Sequence, residues 1–246
     1  MNNDYEEHGY VTTQIMDENS ATAIWHQLLE RVRRGDCNYG MPEHEKLKEG
    51  LENTWNFMNV VPMFFPMSVL TPKAEEALGI ELVPSYCYAR IYMKGSEMVR
   101  HVDRDSSVYA CTINLNSSHS GWPIYLEDKN GKDIITFVGK PGEALFYHGC
   151  DMYHWRNKFE GDWHAQLMMF WVEKKEENEH LYWDGINEPV NWLNGKDDFV
   201  KQVINGEKFI YQSETPCRIF YIDVLQHSSI VIILYYPEGI LTGTLP

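Results

Sequence analysis

Hydrophobic residues recur at helical spacing between Ser20 and Gly35, where Ile24, Trp25, Leu28, Leu29 and Val32 share one face. Asn19 or Ser20 supplies an N-cap and Gly35 lies just past the end, so the pattern predicts an amphipathic helix. Its last turn carries Arg31, Arg33 and Arg34, cations that complement the helix dipole. A second, short helix is signalled by Thr71, by Pro72 at its first position and by Gly79 after its last. From Tyr86 the period changes to two: Tyr86, Tyr88, Arg90 and Tyr92 alternate with Cys87, Ala89, Ile91 and Met93 up to Gly95, which is strand chemistry. Further strands are expected at Val108 to Leu115, Trp122 to Leu126, Ile134 to Val138, Ala144 to Tyr147 and His164 to Val172, separated by polar, turn-forming residues. So many short strands in succession predict a sandwich, jelly roll or barrel rather than alternating βαβ units. The charged run Glu173 to Glu179 marks a solvated boundary, and beyond it Arg218 to Leu225 and Ile230 to Tyr236 read as strands without a chemical motif.

Composition narrows this picture. The 246 residues, 43% hydrophobic, suffice for one domain with a sizeable core. A formal charge of −15 repels phosphate polyanions, which disfavours nucleic acid and anionic membrane as partners. Cys37, Cys87, Cys111, Cys150 and Cys217 form an odd set without C-x-x-C spacing, which argues against a disulfide framework or a thiolate zinc site and fits a reducing cytoplasm. The polar, acidic start Met1 to Tyr10 has no export-signal character, and the apolar run Ile230 to Tyr236 falls far short of a membrane span.

The chemistry begins with His101-Val102-Asp103, an imidazole and a carboxylate that would share one face if the segment were a strand. Chance supplies about half an occurrence of such a short pattern, so it acquires meaning only from a third ligand on a later strand. Two histidines and one carboxylate form the facial triad that leaves positions open on Fe(II). His148 directly follows the strand ending at Tyr147, and His154 lies six residues on; spacing alone leaves both as the third ligand.

Over about Ser85 to Val172 the order of motifs resembles the iron(II)- and 2-oxoglutarate-dependent oxygenases of the prolyl 4-hydroxylase type, including phage and marine-bacterial forms. Three blocks carry the resemblance. The first is Tyr88-Ala89-Arg90-Ile91-Tyr92 with Gly95, then Val99-Arg100-His101-Val102-Asp103-Arg104. The second is Thr112-Ile113-Asn114-Leu115 followed by Gly121-Trp122-Pro123-Ile124-Tyr125-Leu126. The third runs from Lys140-Pro141-Gly142-Glu143-Ala144-Leu145-Phe146-Tyr147 through Gly149-Cys150 and Tyr153-His154-Trp155-Arg156 to Gly161 and His164-Ala165-Gln166-Leu167.

The resemblance implies a mainly β fold with flanking helices, a double-stranded β-helix (jelly roll, cupin-like). In that reading residues 1–84 are a helical support region, 85–173 the oxygenase core and 174–246 an extension of undefined role. It selects His154 beside His101 and Asp103 as the metal ligands, with Arg104 and Trp155 as supports. It implies Fe(II), O2 and 2-oxoglutarate as cofactors, with ascorbate as an auxiliary reductant, and hydroxylation of a peptide or protein side chain or a small metabolite with release of succinate and CO2. Such an enzyme would work in the cytoplasm, or in a host's cytoplasm if viral. Where the family places an Arg or Lys to bind the far carboxylate of 2-oxoglutarate, this chain has His164. The anchoring charge is therefore expected from His164, Arg90 or Arg156, with Tyr92 and Asn114 lining the same pocket. Two other classes use the same elements: a cupin-like isomerase or hydrolase with another divalent ion, and a binding module without catalysis.

Overall fold

The computed structural model describes residues 3–35, 37–40, 51, 53–58, 61–131 and 133–185, together with the backbone of strands at 211–212, 219–225 and 229–235. The chain divides into two compact units, Met1–Asn187 and Glu188–Pro246. In chain order the first unit contains helix α1 (Asn3–His8), strand β1 (Tyr10–Gln14), helix α2 (Glu18–Arg34), strands β2 (Asn38–Tyr39) and β3 (Thr54–Met58), and helix α3 (Val61–Leu78). Strands β4 (Leu82–Met93), β5 (Met98–His101), β6 (Tyr109–Ser117), β7 (Ile124–Glu127), β8 (Ile134–Phe137), β9 (Glu143–His148), β10 (His154–Arg156) and β11 (Trp163–Glu173) follow. In the second unit β12 (Tyr211–Gln212), β13 (Ile219–Leu225) and β14 (Ser229–Tyr235) form an antiparallel sheet.

The pairing of β4 to β11 is nested: β4 with β11, β5 with β10, β6 with β9 and β7 with β8, every pair antiparallel. One long hairpin is in effect folded over on itself. Its strands are dealt between a seven-stranded sheet, β1-β9-β6-β11-β4-β3-β2, and a four-stranded sheet, β5-β10-β7-β8. This is the double-stranded β-helix expected from the sequence.

The alternation seen in the sequence sorts the large sheet's two faces. Cys87, Ala89, Ile91, Ile113, Leu115, Leu167 and Met169 pack outward against Ile24, Trp25 and Leu28 of α2 and Met67, Leu70, Ala74 and Leu78 of α3. On the opposite face Tyr86, Ala110, Leu145, Tyr147, Met168 and Phe170 meet Ile124 and Leu126 of the small sheet, forming a second core between the sheets. Burying both faces accounts for the near-continuous apolar composition of β9 and β11, since only half-buried strands need alternate with polar residues. Among the described residues no helix is long and apolar enough to cross a membrane, and Cys111 and Cys150 are free thiols.

The cap of helix α2 lies two or three residues before the one expected: Asp17 is the N-cap, its carboxylate accepting from Ser20 N at 2.9 Å and Ser20 Oγ at 2.6 Å. Those charge-stabilising bonds hold Asp17 below the usual carboxylate range. Gly35 closes the helix in the left-handed conformation, as its position implied. Helix α3 is longer than the short helix expected, beginning at Val61 and running through Pro72 rather than starting there. Thr71 Oγ1 donates to Met67 O at 2.8 Å and accepts from Trp171 Nε1 at 3.0 Å, which ties this turn to β11. Strands β1, β2 and β3, for which the hydrophobic pattern carried no signal, extend the large sheet at its two edges.

Candidate metal centre

His101 ends β5 and His154 begins β10, and the ladder places the two directly opposite each other. Their ring centroids are 4.3 Å apart. Each ring donates its Nδ1 proton to a backbone carbonyl two residues earlier, His101 to Val99 O at 2.8 Å and His154 to Met152 O at 3.0 Å. A carbonyl can only accept, so both rings are held in the tautomer whose Nε2 carries the lone pair. The two Nε2 atoms lie 3.6 and 3.7 Å from the Asp103 carboxylate oxygens. All three groups can present ligand atoms within 4.8 Å of one another, the geometry of a site able to hold one metal ion.

Asp103 reaches this point differently from the expectation. Strand β5 stops at His101, so Asp103 is not placed by strand alternation; it lies in the turn before the 3-10 helix Asp105–Ser107. Its backbone N donates to Gly149 O at 2.8 Å, which pins the turn to the end of β9. Gly149 is required there: a Cβ would lie 2.4 Å from Ser107 O and 2.8 Å from Asp103 Oδ2. Glycine thus makes the cradle that receives the carboxylate. The two histidine hydrogen bonds, to carbonyls rather than side chains, left no trace in the sequence, and Gly149 was quoted there as part of a motif without a structural role.

His148, the other histidine weighed in the sequence, is held apart. Its Nδ1 sits 3.1 Å from Asp151, its ring packs between Tyr109 and Tyr5, and burial lowers its pKa. Arg104 extends over the Tyr86 ring at 4.1 Å, and Tyr86 bonds Ser107 at 2.7 Å beside Asp103. Burial and the Asp103 charge push the Tyr86 phenol up to about 12, so it stays a neutral hydrogen-bonding group. Trp155 stacks on Tyr125 at 5.5 Å and, as the neighbour of His154 on a strand, points to the other face.

Beyond the triad the inner face of the large sheet becomes polar. Cross-strand register aligns Asn56, Arg90, Gln166 and Asn114 in one row over β3, β4, β11 and β6, and Thr54, Tyr92 and His164 in the next. Every one of these residues is buried. Arg90 donates from Nε to Asn56 Oδ1 at 2.6 Å and lies between the Tyr88 and Tyr92 rings. Asn114 donates to Gly139 O at 2.6 Å, while its Oδ1 has no protein partner. His164 is enclosed by Trp122, Phe159 and Tyr92, and neither ring nitrogen finds a protein hydrogen bond. Burial, and secondarily the charge of Arg156, drive its pKa well below the usual imidazole value. That direction favours the neutral imidazole, a hydrogen-bonding group, over the protonated cation considered from the sequence.

Arg156 follows His154 by two residues, so both project from the same face of β10. Its guanidinium lies 4.8 Å above the Trp122 ring and donates from Nη1 to Trp122 O. Burial lowers its pKa to about 10, which leaves it charged at neutral pH. The structure thus brings Arg156, His164, Tyr92 and Trp122 into one neighbourhood beside the triad, with Arg90 and Asn114 in the adjoining row. Asn56 and Gln166 were not singled out in the sequence, because an isolated amide in a strand carries no motif.

Compared with known proteins, the sequence matches no family model and no curated protein. Solved structures do match in fold. A prolyl-4-hydroxylase from Pseudomonas putida aligns with a TM-score of 0.54 at 16% identity, over 70% of this chain and 96% of its own. A prolyl hydroxylase from Trichoplax adhaerens, in complex with a hypoxia inducible factor oxygen degradation domain peptide fragment, aligns at 0.58 and 13% identity over 71% of this chain and 88% of its own. The non-heme alpha ketoglutarate dependent epimerase SnoN from nogalamycin biosynthesis aligns at 0.54 and 10% identity over 70% and 80%. At these identities the likeness establishes the double-stranded β-helix fold, which hosts more than one reaction outcome.

Proposed function

We propose that the chain is an iron(II)- and 2-oxoglutarate-dependent dioxygenase that hydroxylates a peptide or protein side chain or a small metabolite. The observation that carries this reading is the pair His101 and His154, each locked by a carbonyl so that Nε2 turns toward Asp103. Two nitrogens and one carboxylate on adjacent elements are the donor set of an open iron(II) site, and a carbonyl on the far nitrogen is how such ligands are oriented. The polar wall supports a second group as well: buried polar atoms are normally satisfied, so the orphaned nitrogens of His164 and Asn114 Oδ1 fit a polar co-substrate.

Each part of the interior then has a task. His101, Asp103 and His154 would hold the metal, and a bound iron(II) supplies O2 activation coupled to oxidative decarboxylation of 2-oxoglutarate to succinate and CO2. Tyr86, Tyr88, Tyr147 and Phe170 form an aromatic lining that excludes water around the site. His154 is almost fully buried, whereas His101 and Asp103 keep 18% and 11% of their side chains accessible. Substrate is therefore received from the β5 side, where Val99, Val102 and Tyr153 are exposed. The peptide held by the Trichoplax neighbour supports a peptide or protein side chain as one substrate class.

The test is spectroscopic first and catalytic second. Adding iron(II) and 2-oxoglutarate under nitrogen is expected to give a visible charge-transfer band, and succinate release in air is expected to rise with the right substrate. Metal binding without that band would replace this reading with metal-dependent isomerase or hydrolase chemistry. Peptide and small-metabolite panels in the succinate assay separate the substrate classes.

A further inference from the structure

Resting on the co-substrate reading above, we propose that Arg156 is the cation that binds the far carboxylate of the dicarboxylate, with His164 serving it as a neutral hydrogen-bonding group. Arg156 is 3% exposed, and among the described residues it forms no ion pair; its contacts are the Trp122 carbonyl and ring. A buried charge without a counter-ion is destabilising unless a partner arrives, and a guanidinium offers a planar fork matched to a carboxylate.

Position agrees with charge. Arg156 stands two residues beyond His154 on the same face of a strand, a rise of about 7 Å, comparable to the length of a five-carbon diacid. His164 lies on the facing sheet beside the same Trp122 ring, 5.4 Å between centroids, with both nitrogens unpartnered. A neutral imidazole donates from one nitrogen and accepts at the other, so it can bond a carboxylate without adding charge. Arg90 is the competing cation, but its Nε is already committed to Asn56. The ligand class that follows is a 2-oxo acid with a second carboxylate at the far end.

The discriminating experiment compares 2-oxoglutarate with 2-oxopentanoate, which has the same chelating end and a methyl group in place of the far carboxylate. Binding is read under nitrogen with iron(II) present, from tryptophan fluorescence, so no turnover is needed. The wild-type protein is expected to prefer 2-oxoglutarate by about ten- to a hundredfold, the usual worth of a charge-assisted bond. Arg156→Gln should abolish that preference, and His164→Leu, which removes a neutral hydrogen bond but no charge, should reduce it only several-fold. Preference that survives Arg156→Gln, or that disappears in Arg90→Gln instead, overturns the assignment. If Arg156→Gln fails to fold, Arg156→Lys decides: a single-pointed ammonium should cut the preference several-fold at unchanged 2-oxopentanoate affinity, and an unaltered preference rejects the proposal. A wild-type protein that binds neither acid, or both equally, rejects the co-substrate reading itself.

Discussion

His101 and His154 face each other across the β5–β10 ladder, and each gives its Nδ1 proton to the carbonyl two residues before it. The two halves of the site are thus built alike, on two strands that are neighbours in space and 53 residues apart by their numbers in the sequence. Both rings are oriented before any ion binds, which reduces the ordering cost of coordination.

The first expectation concerns the ligands themselves. His101→Ala, Asp103→Ala and His154→Ala should each lower iron(II) affinity by more than about a hundredfold, since removal of an outer-sphere partner alone costs about 10- to 100-fold. His148→Ala should bind iron(II) as the parent does, because His148 is occupied with Asp151, Tyr109 and Tyr5. Calorimetric titration of the four variants checks the set, and a normal affinity in His154→Ala would refute the triad.

Gly149→Ala tests the cradle. The added Cβ would collide with Ser107 O and Asp103 Oδ2, so either the turn carrying Asp103 moves or the end of β9 does. Destabilisation of about 1–3 kcal/mol, typical of overpacking, should accompany weaker metal binding. Thermal melts and metal titration measure the two effects separately. Unchanged affinity would mean that Asp103 is not held by this contact.

Much of this architecture was legible in the sequence, and the illegible parts have identifiable reasons. Strands β4, β6, β9 and β11 announced themselves because their residues either alternate or are uniformly apolar between turn-forming segments. Strand β1 did not, since Tyr10–Gln14 is an edge strand of mostly polar residues whose place is set by pairing with β9. The closeness of His101, Asp103 and His154 could be expected from the order of motifs, but not the means. Asp103 is placed by a hydrogen bond to Gly149, a tertiary contact that no local period encodes. The charge state of His164 was equally hidden: it depends on Trp122, Phe159 and Arg156 closing around the ring.

One aromatic contact is expected to carry much of the anchorage of helix α2, beside Ile24 and Leu28. Trp25 stacks on Trp163 at the start of β11 with centroids 4.3 Å apart and planes 13° from parallel. Trp25→Ala removes that stack and opens a cavity against the large sheet, at a cost of about 3–5 kcal/mol. Urea denaturation of the variant measures it, and a loss below about 1 kcal/mol would show that the Trp25–Trp163 stack contributes little to holding α2 on the sheet.

Acid sensitivity should report the buried imidazoles. His164 is neutral in the folded protein with a pKa well below 6.5, and burial lowers that of His148 as well. In the unfolded chain both return to the ordinary value near 6.5. Below that pH the unfolded state binds more protons than the folded one, so stability is retained above it and falls as pH drops through it. Each group contributes a slope of at most about 1.4 kcal/mol per pH unit. His164→Gln replaces the imidazole with a group that does not titrate, so the metal-free variant should lose less stability than its parent between about pH 7 and pH 5. Urea unfolding at the two pH values gives the comparison. Equal losses in variant and parent would mean that His164 is protonated, or readily becomes so, inside the folded protein, and the neutral hydrogen-bonding role beside Arg156 would fail with it.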